Sequence, residues 1–165
     1  MAVAVCPGSF DPVTLGHVDI VSRASQLFDK VIVAVLVNPS KHPAFTAEER
    51  QKLLQKTFKD IDNIEITTFD GLLVDFVAEQ GADVIIKGLR AVSDFEYEFQ
   101  MALANKKLNE KTETIFLPSS GENMFLSSSV IKQIAQFGGD ISAFVPPCVC
   151  EDIKTRLDKR GSASK

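Results

Sequence analysis

The sequence predicts an α/β fold, a doubly wound and mainly parallel five-stranded sheet with helices on both faces. Three observations carry that expectation. Short β-branched runs alternate with amphipathic helical windows about five times along the chain. The run Val31 to Val37 (VIVAVLV) is apolar at every position, the mark of a parallel strand covered on both sides. No linker or low-complexity block interrupts the alternation, so residues 1–158 read as one domain, with a polar tail at 159–165 expected to be flexible.

The elements follow in order. Ala2 to Cys6 reads as the first strand, followed by a loop to Gly16 and a helix from about His17 to Phe28. On that helix Val18, Val21, Ala24 and Phe28 share one face at spacings of three and four. After the strand Val31 to Val37, Thr46-Ala47-Glu48-Glu49 forms a capping box that starts a helix running to about Lys59. Ile64 to Phe69 is a strand, Leu72 to Glu79 a short helix stopped by Gln80-Gly81, and Val84 to Lys87 a strand. Asp94 to Leu108 is a helix, Thr114 to Leu117 the fifth strand, and Ser127 to Phe137 a helix ended by Gly138-Gly139. Pro146-Pro147 opens a last helix reaching about Leu157, since proline is tolerated in a first turn. Such a Rossmann-like sheet binds ligands beyond the carboxyl ends of its strands, so the chemistry belongs in the loops that follow them.

Composition removes several classes of function. A chain of 165 residues with 45% hydrophobic and 24% charged residues is globular in character. A net charge of -4 argues against a nucleic-acid binder, whereas a pocket for a small anion needs only local positive charge. Cys6, Cys148 and Cys150 cannot form a disulfide framework and read as reduced thiols, which places the protein in the cytoplasm. No basic segment precedes the first apolar stretch, and no apolar run approaches the ~20 residues of a membrane span. A signal peptide and membrane attachment are therefore not expected.

Four loops after strands stand out. The first is Pro7-Gly8-Ser9-Phe10-Asp11-Pro12-Val13-Thr14-Leu15-Gly16-His17, leading into a helix N-terminus whose free amides attract phosphate. Ser9 offers a hydroxyl there and His17 a ring N–H; the alternative is a plain turn in which Asp11 closes a local bend. The second, Asn38-Pro39-Ser40-Lys41-His42-Pro43, carries one notable charge, Lys41. The third puts Lys87 and Arg90 at the end of a buried strand, where charges are uncommon without a partner. Arg90 has a planar fork suited to phosphate, or it pairs with Asp94 or Glu98 in a structural salt bridge. The fourth, Ser119 to Ser129, opens a helix with Ser127, Ser128 and Ser129, either a phosphate site or ordinary N-capping by one serine.

The segment P-G-S-F-D-P-V-T-L-G-H resembles the T/H-x-G-H signature of the nucleotidyltransferase superfamily, and threonine in first place resembles the bacterial phosphopantetheine adenylyltransferases. N-P-S-K, K-G-L-R-x-x-x-D-F-E-Y-E and L-S-S-S resemble further motifs of that family, in order, from about Val3 to about Leu157. The resemblance implies adenylyl transfer from ATP to 4'-phosphopantetheine, giving dephospho-coenzyme A and pyrophosphate. It implies catalytic roles for His17, Lys41 and Arg90, and acceptor contacts from Ser9, Lys41, Leu73 and Lys87. It implies ATP contacts from Ser9, Phe10, His17, Gly88, Leu89, Arg90, Glu98 and the segment Asn123, Met124, Phe125, Leu126, Ser127, Ser128 and Ser129. Mg2+ held mainly by the ATP phosphates, a homohexamer and feedback by coenzyme A are the remaining expectations. The nearest rivals are a relative with another phosphate-bearing acceptor and a non-catalytic nucleotide-binding regulator.

Overall fold

The computed structural model describes residues 1–38, 42–82 and 84–158, apart from the Ser93 side chain. Its elements are β1 (Val3–Gly8), α1 (Leu15–Leu27), β2 (Lys30–Leu36), α2 (Ala47–Thr57), β3 (Ile64–Phe69), α3 (Leu73–Glu79), β4 (Val84–Leu89), α4 (Val92–Leu108), β5 (Glu113–Pro118), a 3-10 turn at Gly121–Asn123, α5 (Ser128–Gln136) and α6 (Pro147–Leu157). All strand pairs are parallel and the sheet order is β3-β2-β1-β4-β5. The chain builds outward from β1 to β3, then returns to place β4 on the other side of β1. The winding reverses between β1 and β4, and in such sheets that is where ligands bind, beyond the carboxyl ends of the strands.

Strand periodicity divides the interior into two layers. Ala4, Cys6, Val31, Val33, Val35 and Ile86 face a core shared with α1, α2, α5 and α6. Val5, Ile32, Ala34 and Ile85 face the opposite core, closed by Phe69, Phe76 and Val77. Residues 31 to 35 are wholly buried, as their unbroken apolar run requires. Each large aliphatic buried in this way stabilises the fold by about 1.5–3 kcal/mol.

Several boundaries differ from expectation by one or two residues. Helix α1 starts at Leu15, two residues earlier than expected, because Thr14 caps it. Strands β4 and β5 continue to Leu89 and Pro118 because they pair in register along that whole length. Helix α4 begins at Val92, and Phe95, Tyr97, Phe99, Met101, Leu103 and Leu108 all stay exposed on it. Its exposed apolar side chains, interleaved with Asp94, Glu96, Glu98 and Gln100, form a surface fit for a protein partner.

Candidate active site

The loop after β1 is held by its own side chains. Phe10 takes a φ of +47°, and its buried ring stacks edge-on against His17 with centroids 4.9 Å apart. Glycine is needed at position 8 because a Cβ there would come within 3.0 Å of the Phe10 ring. Thr14 and His17 form a reciprocal cap on α1: the His17 N–H donates to the Thr14 hydroxyl at 3.3 Å, and the Thr14 N–H donates to His17 Nδ1 at 3.0 Å. With Nδ1 accepting, the neutral ring carries its proton on Nε2. Burial, and then the charge of Arg90, push the His17 pKa down to about 4. The ring is thus a neutral donor at physiological pH.

Asp11 does not close a local bend. Its carboxylate accepts from the amides of Ala44 and Phe45 at 3.0 and 2.9 Å, and pairs with Lys132 on α5 at 2.7 Å. Burial alone would raise its pKa, but the Lys132 hydrogen bond and the two amides outweigh it and hold the carboxyl below its usual value. Arg50 on α2 is also buried, and its Nη1 donates to the carbonyls of Ser9 at 2.8 Å and Leu36 at 3.1 Å. These two charged residues fasten the β1 loop to the exit of β2 and to the start of α5. Between them lies a cavity of about 360 Å³ lined by Ser9, Asp11, His42, Arg50, Ser129 and Lys132, among others.

The loop after β4 brings both readings of its cations together. Arg90 pairs with Asp94 at 3.1 Å, and its Nη1 also donates to the Leu126 carbonyl at 2.6 Å. Lys87 pairs with Glu98 at 3.2 Å, across from β4 to α4. The structural salt bridge is therefore present, and Arg90 additionally ties the β4 loop to the serine-rich loop. Gly88 is fixed by packing, since a Cβ there would meet Ile20 at 2.8 Å, and Leu89 is half-buried.

The fourth loop spends part of its serine array on the protein itself. Ser127 is the N-cap of α5, accepting from the Val130 N–H at 3.2 Å, and the Ser128 hydroxyl donates to the Pro12 carbonyl at 2.8 Å. Ser129 is exposed at the cavity, and the first-turn amides of Ser128 and Ser129 have no intrahelical acceptor. Upstream, the Asn123 amide donates to the Ser120 hydroxyl at 2.9 Å, Leu126 is buried, and Met124 and Phe125 are exposed. Leu73 opens α3 just after β3 and packs against the second core. Lys41 lies outside the described residues.

The structure thus joins Ser9 with Ser128 and Ser129 around one cavity, Phe10 with His17, and Arg90 with Leu126. A larger concavity of about 460 Å³ lies among Gly138, Asp140, Ser142 and Lys154, away from every expected site residue. Its lysine is already paired with Asp140 and Glu151. Among the described residues, no helix is long and apolar enough to cross a membrane.

Known proteins match this chain along most of its length. The Cytidylyltransferase-like family model matches residues 5–134. The phosphopantetheine adenylyltransferase of Caldanaerobacter subterraneus subsp. tengcongensis is 58% identical over 159 residues, which span 96% of this chain and 99% of the relative. That of Clostridium tetani is 59% identical over 153 residues, with 93% and 96% covered. The chain belongs to the phosphopantetheine adenylyltransferase family. A solved structure from Vibrio parahaemolyticus, named for nicotinate-nucleotide adenylyltransferase, superposes with a TM-score of 0.70 at 21% identity, covering 93% of this chain and 99% of that one. At that identity the likeness is one of fold.

Sequence reading missed several residues that build the site in this phosphopantetheine adenylyltransferase family member. Arg50 drew no notice in a helix read only from its capping box, and nothing in its neighbourhood in the chain marks a partner 41 residues away. Lys132 is equally silent until α5 folds over the β1 loop. The Thr14–His17 cap was within reach, because T-x-x-H has the spacing of a capping box with histidine in the glutamate position.

Proposed function

We propose that the chain transfers the adenylyl group of ATP to 4'-phosphopantetheine, giving dephospho-coenzyme A and pyrophosphate. Identity of 58% over nearly the whole chain to a phosphopantetheine adenylyltransferase supports the reaction. The observation that carries the mechanism is the backbone bond from Thr14 to His17 Nδ1, which leaves the proton of the neutral ring on Nε2. An oxygen of the acceptor phosphate attacks the α-phosphorus in line, and the bond to the bridging oxygen of pyrophosphate breaks. His17 Nε2–H donates to the charge that builds on the α-phosphate. A neutral donor suits that task, because it needs no proton transfer with either substrate. No covalent enzyme intermediate is required; orientation and electrostatics suffice.

Ser9, Lys41, Leu73 and Lys87 hold the acceptor, with the two lysines offsetting repulsion between the approaching anions. Phe10, Gly88 to Arg90, Glu98 and Asn123 to Ser129 surround the nucleotide, the α5 amides taking its phosphates. The bonds of Lys87 to Glu98 and of Arg90 to Asp94 pre-orient the two cations, and substrate phosphate competes with those carboxylates for them. Among the described residues no group of three or more His, Cys, Asp or Glu side chains could hold a metal ion, and Asp11 is committed to Lys132. Mg2+, where bound, would be held mainly by triphosphate oxygens and would neutralise charge on the leaving group.

The same proposal extends to assembly and setting. The uncovered apolar side of α4, with Tyr97, Phe99, Met101 and Leu103, supports a homohexamer. Free thiols at Cys6, Cys148 and Cys150 support a cytoplasmic setting. Feedback by coenzyme A belongs to the reading because that product derivative shares the acceptor's arm. A substrate panel with purified protein and ATP, read as pyrophosphate release, tests the activity: turnover is expected with phosphopantetheine, and turnover only with another phosphate-bearing acceptor would refute it.

A further inference from the structure

We infer that Arg50 is a positioning residue for the acceptor side of the crevice, fixing the Ser9 segment onto the end of β2 and giving the cavity a permanent positive charge for the acceptor's phosphate. The inference rests on the reaction proposed above. Arg50 is 4% exposed, yet no ion pair forms with it among the described residues. Its Nε donates to the Thr46 carbonyl at 3.3 Å, and its Nη1 bridges Ser9 and Leu36. Nη2 makes no hydrogen bond to a described residue, while the side chain lines the 360 Å³ cavity. Lys132, on the same cavity, is neutralised by Asp11 at 2.7 Å. Arg50 is thus the cation of this wall that no described carboxylate touches, the exposed Glu48 acting on it only through space.

Two features make a purely structural role insufficient. A buried charge without a counter-charge in contact is costly, and a well-packed apolar side chain would stabilise α2 better. The residue also stands in the first turns of α2, where the helix dipole disfavours a cation. An anionic ligand in the cavity removes both penalties. The guanidinium fork suits the geometry, because one plane can serve carbonyls from two strand ends and still present an edge to a phosphate.

Steady-state kinetics on R50K and R50Q, with melting curves for both, test this. In R50Q the KM for phosphopantetheine is expected to rise about tenfold or more, while the KM for ATP stays within about twofold. R50K, which keeps the charge without the fork, should recover part of that loss. Equal changes in both constants, or no change, would overturn the inference, and R50K no better than R50Q would overturn its electrostatic part. If neither variant folds, 15N side-chain NMR of the parent protein decides. The Arg50 Nε–H, buried and bonded to Thr46, should exchange slowly and shift when phosphopantetheine is added, but not when ATP is added; an unmoved signal with phosphopantetheine contradicts the inference. A parent protein that makes no dephospho-coenzyme A refutes the proposed function itself, whereas an active parent with kinetically silent Arg50 variants refutes this inference alone.

Discussion

Replacing His17 separates its two jobs, capping and catalysis. The Thr14 amide sits in a residue 2% exposed, and His17→Ala leaves that N–H without its acceptor. An unsatisfied buried donor costs about 1–3 kcal/mol, so urea denaturation at pH 7 should show a loss of that size. The same change removes the Nε2 donor, and a lost transition-state donor lowers turnover by ~10²–10³-fold with modest change in ATP affinity. His17→Gln divides the effects, because glutamine three residues after a threonine cap restores the reciprocal bond. Its stability should return to within about 0.5 kcal/mol of the parent while turnover stays at least about tenfold down. Stopped assays of dephospho-coenzyme A at saturating substrate, beside urea curves, provide both readouts. Turnover of His17→Ala within a few-fold of the parent would refute the catalytic role, and an unchanged urea midpoint would refute the capping role.

Three further outcomes are expected. The His17 pKa is about 4 in the folded chain against 6.5 ordinarily, so the unfolded chain binds more protons between those values. Stability from the neutral ring is complete above pH 6.5 and erodes as pH falls toward 4, by about 2–3 kcal/mol at pH 4.5, and His17→Gln should lack that slope. Lys41→Ala and Lys87→Ala should raise the apparent constant for phosphopantetheine more than that for ATP; the reverse ordering in titrations would exchange the two subsites. Asp11→Asn leaves Lys132 without its carboxylate and should cost about 1.5–3 kcal/mol in chemical denaturation, whereas an unchanged midpoint would show that the clasp contributes no stability.

The sheet was legible because its signals are local. The apolar run Val31 to Val37 marked a strand covered on both faces, buried throughout at 31 to 35. The Thr46–Glu49 box announced the start of α2, though the helix ends at Thr57 and not near Lys59. The candidate loops were chosen for a topological reason, since each follows a parallel strand. What escaped is long-range and charged. Arg50, Lys132 and Asp19 act on carbonyls, a carboxylate and an amide far along the chain, Asp19 accepting from the Ser120 N–H at 3.2 Å. No periodicity encodes such pairs. The serines are a mixed case: three in a row suggest a phosphate site, and within the protein Ser127 caps α5 while Ser128 holds Pro12. Hydroxyls at a helix start serve the helix first, because its amides are adjacent and always present.

A structure of the protein with dephospho-coenzyme A bound tests the central claim most directly, since that product marks where the adenylyl group was transferred. The account predicts an oxygen of the transferred phosphate at about 2.7–3.2 Å from His17 Nε2, with the Thr14 N–H still bonded to Nδ1. Adenylate seated instead among Gly138, Asp140 and Lys154, or a His17 ring turned so that Nε2 faces the interior, would contradict it.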